Sequence, residues 1–136
     1  MNKVKVEIYW TEKNYCCGWS DKDLGAVICT SKTIDDLKSD FVKGLEAQIS
    51  DMVADGEYVP SWLADGDYEV EFTLAVSALL RQAERYTTMA AISRVTGINQ
   101  KLLSNYASSV KVPRECQRQR IVDGIHAIGR EMLAMI

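Results

Sequence analysis

A chain of 136 residues, 47% hydrophobic and 26% charged with formal net charge −3, has the composition of one ordinary globular domain or two small ones. No apolar run approaches the ~20 residues that span a bilayer. The start, Met1-Asn2-Lys3-Val4-Lys5, lacks the apolar middle of a signal peptide. Both a membrane protein and a secreted one are set aside.

The front of the chain reads as strands around one helix. Val4, Val6, Ile8 and Trp10 alternate with Lys3, Lys5, Glu7 and Tyr9, the period of a half-buried strand. Two further β-prone runs, 15–20 and 26–30, flank a turn made of Asp21-Lys22-Asp23 with Gly25. Thr33-Ile34-Asp35-Asp36 predicts a helix start, with Thr33 as cap and Asp36 at the third helical position. Leu37, Phe41, Leu45, Ile49, Met52 and Val53 follow at helical spacing until Asp55-Gly56 stops the run. After the Asp65-Gly66 turn, Tyr68, Val70, Phe72, Leu74 and Val76 alternate with polar residues as a fourth strand. A β-β-β-α-β order makes one sheet with a helix across one face.

The back of the chain is helical throughout. Residues 78–86 form a short helix centred on Leu79, Leu80 and Ala83, and Thr87 or Thr88 caps a second that ends near Val95. Thr96-Gly97-Ile98-Asn99 breaks the pattern, and Asn99 caps a third helix from Gln100 to about Ser108. Pro113 suits the first turn of a fourth helix, carried by Ile121, Ile125, Ile128 and Met132. The expected fold class is therefore α+β: an N-terminal β-β-β-α-β single-sheet domain, residues 1–76, followed by an all-α helix-turn-helix domain, residues 77–136.

Charge divides along nearly the same line. Residues 1–72 hold 7 Lys+Arg against 15 Asp+Glu, a net −8, whereas 73–136 hold 9 against 4, a net +5. An acidic front suits a basic protein partner, and a basic back suits a phosphate backbone.

Helix, short glycine turn, helix is the shape of a helix-turn-helix. In the third helix Asn99, Gln100, Lys101, Ser104 and Asn105 form a polar face, while Leu102, Leu103 and Tyr106 lie behind it. Asn and Gln bond adenine bidentately and Lys donates to guanine, so these five are the base-contact candidates. Thr88, Lys111, Arg114, Arg118 and Arg120 are the phosphate-contact candidates. Double-stranded DNA is the expected partner, and reading two half-sites implies a homodimer or higher homo-oligomer.

The segment 97–113 resembles the recognition helix and following loop of the Cro/repressor-type (XRE) family. That resemblance implies Gly97 in the sharp turn, Ile98 and Leu103 in the core, and Ser104 facing the groove. Met89 stands where the family often has Gln, Ile92-Ser93 where it has Leu-Ala, and Ser109 where it has Gly. The front half, with Thr33-Ile34-Asp35-Asp36-Leu37 opening its helix and an acidic loop from Asp55 to Pro60, resembles the HicB antitoxin family. The joint resemblance implies a cytoplasmic antitoxin-type autorepressor that masks a small basic mRNA-cleaving toxin of the HicA kind. A solitary repressor without a toxin and a protein-interaction or assembly module without DNA remain as alternatives.

No chemistry is expected of the chain itself. Cysteines 16, 17, 29 and 116 include no Cys-x-x-Cys pair and have no histidine near them, which points to free thiols and not to a zinc site or disulfide framework. His126, the single histidine, sits with Ile125 and Ile128 in a packing or surface role. Glu7, Asp21, Asp23 and Glu69 are not fixed into one cluster by anything in the pattern. No catalytic residue, metal or cofactor is assigned.

Overall fold

A computed structural model describes residues 2–136, so Met1 of the N-terminal run lies outside the described residues. Among them the chain forms four strands and six helices in a mixed α+β order. These are β1 (Asn2–Thr11), β2 (Asn14–Asp21), β3 (Gly25–Ser31), α1 (Ile34–Ala54), α2 (Ser61–Ala64), β4 (Tyr68–Leu74), α3 (Val76–Ala83), α4 (Met89–Thr96), α5 (Gln100–Ala107) and α6 (Glu115–Ala134). Two compact units meet between Ala75 and Val76. No helix among the described residues is long and apolar enough to cross a membrane.

The first unit is one sheet in the order β3-β2-β1-β4. Neighbours β1–β2 and β2–β3 are antiparallel, whereas β1–β4 is parallel. A parallel pair cannot be joined by a tight turn, and α1 lies within the crossover. The register sets Val4 beside Val70, Val6 beside Phe72 and Ile8 beside Leu74. Thr33 accepts the Asp36 amide at 3.2 Å, and Asp35 and Asp36 sit in the first turn of α1, where the helix dipole favours acid. Its stripe Leu37, Phe41, Leu45 and Ile49 is buried, with Phe41 edge-on to Phe72 at 5.9 Å. Each such side chain contributes roughly 1.5–3 kcal/mol by leaving water.

Lys3, Lys5 and Glu7 are exposed, on the opposite sheet face. There Lys3 meets Glu71 at 3.0 Å. That hydrogen bond, with the attraction of the two charges, holds the Glu71 carboxyl below its ordinary value and the Lys3 ammonium above it. Asp21 closes the β2–β3 hairpin by accepting the amides of Asp23 and Leu24 at 2.8 and 3.2 Å. All four cysteines are free thiols. Cys17 stands opposite Cys29 in the ladder. Burial, then the neighbouring Cys29 and Cys16, pushes Cys17 up to about 11. Burial, then Asp40, also raises Cys29.

Three boundaries differ from expectation. Between the Asp55–Pro60 loop and the fourth strand, where the pattern predicts no element, the chain forms α2, whose four residues are too few to show a helical period. It is pinned by buried Leu63 and by Trp62, edge-on to Tyr68 at 6.3 Å. The fourth strand stops at Leu74. The Ala75 amide still donates to Ile8 at 2.8 Å, but Val76 opens α3 and joins the helical core. Pro113 lies outside α6, because Arg114 is the N-cap and Glu115 the first helical residue.

The second unit is built on buried Val76, Leu80, Ile92, Ile98, Leu103, Tyr106, Ala107 and Ile121. Every helix of the unit, and the turn after α4, sends at least one side chain into this cluster.

Candidate nucleic-acid interface

The α4–α5 pair is fixed mainly by its turn. Thr88 starts α4 by accepting the Ala91 amide at 3.1 Å. Gly97 ends it with φ 74°, a left-handed conformation that costs a side-chain-bearing residue about 1–2 kcal/mol. Three side-chain hydrogen bonds then brace the exit. The Thr96 hydroxyl donates to the Ile92 carbonyl at 2.7 Å and accepts the Ile98 amide at 3.2 Å. The Ser93 hydroxyl donates to the Ile98 carbonyl at 2.7 Å. Ile98 is itself buried, so the turn is anchored by packing as well.

Asn99 accepts the Lys101 amide at 2.8 Å through its side-chain carbonyl, capping α5 and leaving its own NH2 group exposed. Gln100, Lys101 and Ser104 are exposed on α5, and Asn105 is half-buried at the margin of the same face. Leu103, Tyr106 and Ala107 are buried behind it, and Leu102 is half-buried. All five base-contact candidates thus fall on one side of one helix and its cap.

Beyond α5 the chain turns through Ser109, with φ 64°, in the left-handed region. The Asn105 carbonyl accepts the amides of Val110 and Lys111 at 2.9 and 3.2 Å, tying the loop back to the helix. Lys111 is exposed between two exposed valines, Val110 and Val112. Thr88 and Arg114 are exposed at the N-caps of α4 and α6, and Arg118 is half-buried one turn on.

Arg120 is placed differently. Its guanidinium donates to the Thr96 carbonyl at 2.7 Å and to Gln117 at 2.8 Å, so α6 caps the end of α4 through it. A Cβ added to Gly97 would meet the same guanidinium at 3.4 Å. Gly124 makes the second close approach: a Cβ there would overlap the Thr96 Cγ2 methyl. Sequence reasoning missed these bracing roles of Ser93, Thr96, Arg120 and Gly124. A serine four residues before the helix-ending glycine and a threonine directly before it were the one visible sign.

Family models, characterised proteins and solved structures yield no match to this chain.

Proposed function

We propose that residues 76–136 are a repressor-type helix-turn-helix module that reads duplex DNA through α5. The whole chain would then be a transcriptional regulator of the HicB-like antitoxin type, with no chemistry of its own. Its front half is read as the β-β-β-α-β domain, with α2 inserted before the last strand. The observation that carries the proposal is the exposed polar face of α5, held beside a braced glycine turn in a unit of net charge +5. Gln100 and Asn105 bond adenine edges, Lys101 reaches guanine, and Ser104 permits close approach. Thr88, Lys111, Arg114 and Arg118 grip phosphates, with Arg120 serving chiefly as a brace. The acidic front unit holds a small basic protein, which the resemblance identifies as a toxin.

The test is fluorescence anisotropy with a duplex selected from a random pool. Four phosphate contacts predict that log K falls with log salt at a slope of about −3 to −4 per protomer. Gln100→Ala is expected to cost ~1–3 kcal/mol on the selected duplex and to relax one base step, with little change on random DNA. Binding indifferent to salt, or an equal loss on every sequence, would overturn the base-reading role. Coexpression with any neighbouring reading frame for a short basic protein tests the front half. Failure to form a complex would leave a solitary repressor.

A further inference from the structure

The end of the second unit formed by the C-terminus of α3 and the last turns of α6 carries an apolar groove of about 490 Å³. Ala83, Ile125, Ile128 and Gly129 line it, and apart from the hydroxyls of Tyr86 and Thr87 its lining side chains are apolar. Around it stand large side chains open to water: Tyr86 at 69% exposure, Leu133 at 76%, Met135 at 81%, Met132 half exposed and Ile136 fully so. Taking ~180 Å² for a large side chain, these five present on the order of 700 Å². A standard interface buries about 800 Å² per partner. Scattered exposed apolar residues are ordinary, but a contiguous patch of this size marks an interaction site.

Charge selects the occupant. The front unit carries −8 and the α5 side of the second unit is basic, so each repels its own copy. No charged side chain lines this groove, and the charged chain neighbours of its lining residues, exposed Glu84, Arg85, Arg130 and Glu131, sum to no net charge. A two-fold contact brings the same surface against itself, so an apolar groove without charge meets its own copy without repulsion. We infer that this end is the homodimer interface, in which each chain seats Leu133 of α6 and Ile136 just beyond it in the groove of a second copy. The inference names the dimer contact that the DNA-reading proposal calls for, but it stands on this surface alone.

Analytical ultracentrifugation of the full chain tests it. Wild type is expected at twice the 15.2 kDa chain mass over about 1–100 μM. Leu133→Glu puts a charge into the apolar contact and is expected to weaken association by about a hundredfold or more, giving the single-chain mass with unchanged far-ultraviolet circular dichroism. Val53→Glu, at an exposed apolar position in the first unit, is expected to leave the dimer intact. A wild type at the single-chain mass, or a Leu133→Glu variant that sediments as a dimer, overturns the proposal. The two readings fail separately: a dimer that binds no DNA refutes the regulator, and a monomer that does bind it refutes this interface.

Discussion

Gly124→Ala is the most informative single change, because its cost depends on one named atom. Gly124 is buried inside α6, and a Cβ there would overlap Thr96 Cγ2 and touch Val95 Cγ1 at 3.7 Å. In an isolated helix the substitution would be favourable by about 1 kcal/mol. Here Thr96 cannot simply turn away. Its hydroxyl bridges the Ile92 carbonyl and the Ile98 amide, and rotating the methyl aside breaks both bonds at about 1 kcal/mol each. That cost, like the ~1–3 kcal/mol usual for an overpacked site, is offset by the helix gain, so the expected net loss is about 1–2 kcal/mol. For a unit of this size that lowers the melting temperature by roughly 5–15 °C.

The rescue follows from the same contact. Thr96→Ser deletes Cγ2 but keeps the bridging hydroxyl, at a cost of up to ~1 kcal/mol for the lost methyl. Thermal and urea unfolding of wild type, both single variants and the double variant complete a cycle. The double variant is expected to be more stable than Gly124→Ala alone, with a coupling of about 1–3 kcal/mol. Additive single effects would refute the reasoning, since they would mean that the alanine methyl and Thr96 Cγ2 never meet.

Other outcomes follow from individual groups. Arg118→Ala is expected to shallow the salt slope of DNA binding by about 0.9, whereas Arg120→Ala leaves the slope nearly unchanged and costs ~0.5–1.5 kcal/mol of stability, because its guanidinium is bonded to Thr96 and Gln117. Equal slopes for the two variants would return Arg120 to the phosphate contacts. The Cys17 thiol, pushed up to about 11 by burial, keeps its proton in the folded chain after the unfolded chain has lost it. Its contribution is therefore complete below about pH 9 and lost as pH rises towards 11, so Cys17→Ala should flatten the alkaline fall in stability; an unchanged fall would assign that fall to other groups.

What could be read from the sequence was what depends on near neighbours. Val4, Val6 and Ile8 show a two-residue period because one sheet face is buried, and Leu37, Phe41, Leu45 and Ile49 repeat every four because one helix stripe is. Thr33 and Asn99 cap their helices through amides only two or three residues on. Gly97 and the polar face of α5 are likewise local features, legible from residue type and spacing. What stayed hidden depends on distant partners. Arg120 reaches Thr96 across 24 residues of sequence, and Gly124 is a glycine because Thr96 lies against it. Val76 was assigned to a strand because it continued the alternation; the helical core claims it instead. Four residues of α2 offered no period to read.

The hidden part also bears on the proposed interface. Packing of Leu103, Tyr106 and Ala107 alone would hold a helix whose polar face is merely solvated, and one left-handed glycine would suffice to end its predecessor. Around Gly97, by contrast, Ser93, Thr96 and Arg120 all bond to the turn or to the end of α4, and Gly124 lets α6 close against Thr96. Such bracing fixes how α5 leaves α4. Direction matters when side chains must meet base edges to within a few tenths of an ångström, as bidentate amide contacts require. On the proposed reading the bracing residues and the polar face are parts of one device. A change that loosens the turn should act first on discrimination between sequences, before it acts on charge-driven affinity for DNA in general.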